Sequence, residues 1–174
     1  MSFDELVAAV SSHDAEAIVR TDPDATDPVV VVAADRLHAT MTHLRNESSL
    51  AMDTLSDLCG VDFLETEAKL LKKFPYEPHL AVVYQLFSLE HRHRLTVTVE
   101  LPRPAGPDEQ PELASVADLW PAANWHEREC FDLFGVRFVG HPNLTRILCP
   151  DDWVGHPLRK DYEMPLEYEG IRGR

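Results

Sequence analysis

Two apolar runs limit what this chain can become. Leu80–Leu89 reads LAVVYQLFSL and Leu95–Leu101 reads LTVTVEL, with the charged Glu90–Arg94 (EHRHR) between them. In the second run Leu95, Val97, Val99 and Leu101 alternate with Thr96, Thr98 and Glu100. A period of two marks a strand with one buried and one wet face. Two such runs across a short polar link predict an antiparallel hairpin.

The other elements group around that hairpin. Phe3, Leu6, Val7 and Val10 predict a short amphipathic helix over Phe3–Val10. Ala15–Arg20 reads as a strand, Thr21–Pro28 as turns, and Val29–Val32 as a buried strand. Asp35 is a plausible N-cap for a helix to about Arg45 that carries Leu37, Met41 and Leu44. Ala51–Leu64 reads as a strand interrupted at Cys59-Gly60, Pro102–Pro111 as a proline-rich loop, and Leu113–Leu119 as a short helix. Pro121 suits the first position of a helix through Phe134, Gly135 its end, and Val136–Val139 another strand. The expected fold class is α+β: a mixed, largely antiparallel sheet with helices packed on it over residues 1–139, then an extended C-terminal arm over 140–174. Prolines 142, 150 and 157 exclude one continuous helix in that arm. Its apolar residues are too sparse for a core, so the arm is expected to need a partner to order it.

Charge and cysteine content remove several function classes. With 16 basic against 30 acidic residues the net charge is −14, which disfavours nucleic acid and anionic lipid as direct ligands. No apolar run approaches the roughly 18 residues of a membrane span. The N-terminus carries acid rather than a basic leader, so the chain is expected to begin at or near Met1, in the cytoplasm. Cys59, Cys130 and Cys149 are scattered and odd in number, which argues against a disulfide framework or an iron–sulfur cluster of its own. There is no glycine-rich nucleotide motif.

One stretch mixes core and charge. In Asn124–Gly135 (NWHERECFDLFG) the helical period puts Ala122, Ala123, Cys130, Phe131, Leu133 and Phe134 on one arc, with Arg128, Glu129 and Asp132 opposite. Arg128 and Asp132 then form an ordinary i,i+4 pair. His126 and Glu127 fall inside the apolar arc, where an unpaired charge costs several kcal/mol, on the order of 3–5. Three readings are open. His126 and Cys130 are zinc ligands with Glu127 as base of a zinc-dependent hydrolase, given a third ligand from His141, His156, His91 or His93. Alternatively, these charges pair with arginines of their own domain, or they meet another subunit. Elsewhere, EHRHR reads as a solvated turn and Asp151-Asp152 as a turn. His156–Tyr162 (HPLRKDY) suits docking onto an acidic or carbonyl-rich groove.

The block Glu127-Arg128-Glu129-x-Phe131-Asp132-Leu133-Phe134-Gly135 is followed by Phe138, Gly140-His141-Pro142, Leu144 and Arg146-Ile147-Leu148. It closes with Gly155-His156-Pro157-Leu158-Arg159-Lys160-Asp161-Tyr162. Together these closely resemble the 30 kDa subunit family, the C-subunit, of respiratory complex I, the proton-pumping NADH:quinone oxidoreductase. The resemblance implies a non-catalytic subunit of the peripheral arm with no cofactor of its own, FMN and iron–sulfur clusters being carried by partner subunits. It implies partners in the large quinone-site subunit and the cluster-bearing subunits. Membrane contact would come only through the complex, on the cytoplasmic face of the bacterial plasma membrane. A similar subunit of a membrane-bound hydrogenase-type complex is the alternative. The interface residues implied are Glu127, Arg128, Glu129, Phe134, Phe138, His141 and Arg146, with Trp153 and the run His156, Pro157, Leu158, Arg159, Lys160, Asp161 and Tyr162.

Overall fold

The computed structural model describes residues 1–65, 77–104, 106 and 109–172. Nine strands and three α-helices are assigned among them: α1 (Phe3–His13), β1 (Ile18–Asp22), β2 (Val29–Val32), α2 (Leu37–Asn46), β3 (Thr54–Phe63), β4 (His79–Phe87), β5 (Arg94–Pro102), β6 (Glu112–Ala114), α3 (Ala123–Phe134), β7 (Arg137–Val139), β8 (Glu167–Tyr168) and β9 (Ile171–Arg172). A five-stranded sheet runs in the order β1-β2-β5-β4-β3, antiparallel except for the parallel β2–β5 pair. This is the α+β class expected from the sequence.

The hairpin is β4–β5, in register from His79–Pro102 to Phe87–Arg94. Its inner positions, Leu80, Val82, Val97 and Val99, share one core with Leu6 and Val10 of α1 and Leu37, Met41 and Leu44 of α2. Burying an aliphatic side chain of this size stabilises by roughly 1.5–3 kcal/mol. α1 is started by Ser2 and Glu5, each side chain bonding the other's backbone N–H.

Four expectations change. Thr96 and Thr98 are buried, not wet, because β5 lies mid-sheet between β2 and β4. The EHRHR turn is not wholly solvated: His93 is buried against the Leu50 carbonyl at 2.6 Å, and His91 reaches the Ser48 carbonyl at 2.8 Å. Residues 113–119 do not form a helix; Leu113 instead pairs with Phe138 in the parallel β6–β7 ladder, and both side chains are buried. Three residues of the Pro102–Pro111 loop lie outside the described residues.

The fourth concerns Cys59-Gly60, which does not break β3; the irregularity falls between Leu55 and Asp57. Gly60 is there for close approach. A Cβ added to it would lie 2.5 Å from Phe134 Cδ2 and 3.0 Å from Cys130 Sγ, so its missing side chain lets α3 press onto β3. Gly60→Ala should therefore destabilise the domain by about 1–3 kcal/mol, as overpacking does. At Gly106 an added Cβ meets nothing within 4 Å, and Gly106→Ala is the control. Chemical denaturation of both variants checks this; equal midpoints would show that Phe134 yields without cost.

Candidate functional site

The sequence that mixes core and charge is α3, which crosses between the parallel strands β6 and β7. Ala123, Glu127 and Cys130 point inward and are buried. Glu127 lies where its arc placed it, but among the described residues no arginine is paired with it. The Ser115 hydroxyl donates to its Oε2 at 2.6 Å and the Val116 N–H to its Oε1 at 2.7 Å. His141 Nε2 is 4.0 Å away and bonds the Asn124 carbonyl instead, at 3.0 Å. Burial with neutral donors only pushes the Glu127 carboxyl up to about 7, against the lowering effect of the Ser115 and Val116 bonds. His126 is half-buried, with Nδ1 3.5 Å from Asp57.

The other end of α3 is where the arm arrives. Asp132, placed on the wet face by its period, is fully buried. Its Oδ2 accepts three consecutive arm amides, Ile147 at 3.0 Å, Leu148 at 2.7 Å and Cys149 at 2.9 Å. Its Oδ1 takes Arg146 Nη1 at 2.6 Å. Arg128 does not pair with Asp132; it bonds the Thr145 carbonyl and hydroxyl and lies 5.1 Å over the exposed Trp125 ring. The helix's last carbonyls are also met by the arm. His156 Nδ1 and Arg146 Nη1 reach Asp132 O, the Leu158 N–H reaches Leu133 O, and Arg159 reaches Phe134 O at 2.7 Å and Gly135 O at 3.4 Å. Positive charge at a helix C-terminus is favourable there. Gly135, at φ +73°, is left-handed, and a side chain on it would collide with Arg159 and His156.

A second buried carboxylate holds the arm further along. Asp62 of β3 pairs with Arg103, accepts the Lys160 N–H at 2.8 Å, and Arg103 in turn meets Asp161 at 2.6 Å. Burial raises the Asp132 carboxyl, but the amides of Cys149, Leu148 and Ile147 and Arg146 outweigh it and hold it below the usual carboxylate range. His156 is held below its usual value by burial and by Arg159 and Arg146, against its bond to Asp132 O. Both shifts are downward, so the stability they supply is present at neutral pH and is lost as pH falls through the folded values.

The bonds of this cluster join α3 to the chain's own arm. Burial pushes the Cys130 thiol far above its ordinary value. Among the described residues no three His, Cys, Asp or Glu side chains gather as a metal set. Of the residues named as interface, Glu127, Phe138 and the His141 side chain are interior, while Arg128, Arg146, His156 and Arg159 bond within the chain. Phe134, Trp153, Pro157 and Tyr162 are half-buried, and Glu129, Leu158, Lys160 and Asp161 are exposed. Asp62, Ser115 and Arg103 carry no signal in the sequence that marks them as anchors, and Asp132 belongs to the resembling block but is set on the wet face by its period. The run of amides that Asp132 binds has no side-chain signature.

Comparison with known proteins places these features in a family. The family model described as "Respiratory-chain NADH dehydrogenase, 30 Kd subunit" matches residues 30–168. The NADH-quinone oxidoreductase C-subunit of Moorella thermoacetica is 45% identical over 140 residues, 80% of this chain and 82% of that protein. Among solved structures, a trypsin-resistant fragment (1–134) of Nqo5 superposes with TM-score 0.62 at 29% identity, covering 83% of this chain and all of that fragment. A chain of a membrane-bound sulfane sulfur reductase, from an archaeal respiratory membrane complex, has TM-score 0.62 at 22% identity and covers 92% of this chain and 85% of that one. It shares the fold.

Glu127→Ala should destabilise far more than Glu129→Ala, since it strands two buried donors at about 1–3 kcal/mol each. The exposed Glu129 should cost under about 0.5 kcal/mol. The raised Glu127 group also sets a sign for pH. Between 4.5 and about 7 the folded chain holds a proton that the unfolded chain releases, so this group's contribution falls as pH rises through that window. Glu127→Gln should remove that slope. Unfolding free energies measured from pH 4.5 to 8 check both; matching slopes in wild type and Glu127→Gln would contradict the assignment.

Proposed function

We propose that this chain, which belongs to the 30 kDa subunit family of respiratory-chain NADH dehydrogenase, serves in the peripheral arm of an NADH:quinone oxidoreductase as its 30 kDa subunit. The observation that carries the reading is the breadth of the match: 45% identity to such a subunit over 80% of the chain. Its role is to support, without chemistry of its own, the subunits that form the quinone site and carry FMN and iron–sulfur clusters. Electron transfer there is coupled to proton translocation.

The geometry supports a scaffold role. The conspicuous charges of α3 and the arm are engaged in holding the chain's own parts together. No described helix is long and apolar enough to cross a membrane, and attachment at the cytoplasmic face comes through partners. The outer side of the arm offers Leu148, Leu158, Lys160 and Asp161, and α3 offers Trp125 and Glu129, as the surface for the large quinone-site subunit and its cluster-bearing neighbours. Aromatic anchors beside charged residues suit a subunit interface.

Two outcomes are expected. The isolated chain should be colourless and should not oxidise NADH; a visible band that co-purifies at fixed stoichiometry would overturn the cofactor-free role. A chain truncated after residue 140 should keep its circular dichroism yet be missing from the complex on native gels, with membrane NADH:quinone activity reduced at least tenfold. Full activity with the truncated chain would remove the arm from the interface.

A further inference from the structure

The arm is held by polar bonds more than by apolar burial. Its Leu148, Val154 and Leu158 are 60%, 83% and 52% exposed, whereas the residues it buries are His156 and Arg159, at 5% and 8%. Leu144 contributes to the hydrophobic core, but it lies before the bonded stretch begins. Ile147, Trp153 and Pro157 are only half-buried, and the hydrophobic term grows with apolar area removed from water, so polar bonds carry the larger part of ordering residues 146–159.

We propose that Asp132 is a latch that straps residues 146–158 onto the chain's own helix before any partner arrives, and whose loss frees that strap as one unit while the sheet domain stays folded. Each bond in the strap leads to the next. Three consecutive amides on Oδ2 fix the backbone at 147–149, as a nest of N–H groups fixes an anion. Arg146, anchored on Oδ1, extends Nη2 to the Gly155 carbonyl at 2.9 Å and so sets the next turn. That turn delivers His156 to Asp132 O and the Leu158 N–H to Leu133 O at 3.0 Å. Asp62 binds the Lys160 amide beyond the strap and leaves 146–158 to the first anchor. The surface proposed above for partners is thereby formed in the free subunit. Only that consequence rests on the proposed function; the latch itself is a property of the isolated chain.

Hydrogen exchange resolved by residue, on the full-length isolated chain, tests it. In Asp132→Asn the amides of Ile147, Leu148 and Cys149 should exchange at least tenfold faster. So should Leu158, whose own acceptor, Leu133 O, is untouched by the substitution; a purely local role of Asp132 would leave Leu158 protected. Trypsin should cut after Arg146 at least tenfold sooner, with the β4–β5 hairpin unchanged, and Asp151→Asn should behave as wild type. Should Asp132→Asn fail to fold, Arg146→Gln leaves the three Oδ2 bonds in place but cuts the link to the Gly155 carbonyl, and carries the same expectation for Leu158. Protection of Leu158 at the wild-type level, loss of hairpin protection in step with the arm, or an unprotected arm in the wild-type chain would each overturn the latch.

Discussion

α3 ends inside the molecule, and the last turn of any α-helix leaves carbonyls without intrahelical partners. Here their partners come from a segment more than ten residues downstream. Arg146, His156, Leu158 and Arg159 supply donors to four successive carbonyls, from Asp132 to Gly135. That one requirement explains features that look unrelated in the sequence. Gly135 must be left-handed and bare, because the chain turns there and the arm packs on the turn. Asp132 must be acidic, because it gathers amides and an arginine that would otherwise be buried without acceptors.

At the other end of the same helix the requirement is reversed. Glu127 supplies acceptors to the turn that follows β6, where Ser115 and Val116 would be left without them. The two carboxylates differ in charge state because their partners differ. Asp132 meets a guanidinium and three amides and stays ionised, whereas Glu127 meets two neutral donors and is pushed up to about 7. One helix thus carries two buried acids that respond to pH in opposite directions.

For assembly, the consequence is a division between the two sides of the arm. Its cations Arg146 and Arg159 face inward and are satisfied, so they are not free to attract a partner. Leu148, Val154 and Leu158 are exposed, and burying them against another subunit would add to the apolar term.

The sequence by itself determined the strand period of β5, the β4–β5 hairpin, the helices α1 and α2, the stop at Gly135 and the family. Those signals are local: a period of two or 3.6, a glycine at a helix end, an ordered block of residues. It also placed Glu127 at a core position correctly, because that position faces the sheet. The same rule puts Asp132 on the wet face, since a helical period compares residues only with their own helix. Nothing in it registers that an aperiodic arm returns over the opposite side. Thr96 and Thr98 escape it for the same reason, as their burial comes from β2 and β4 on either side. Only the tertiary structure decided which polar residues are interior, because a buried polar group is defined by its partners, and these partners, Arg146, Ser115 and backbone amides, are distant in sequence or have no side chain to read.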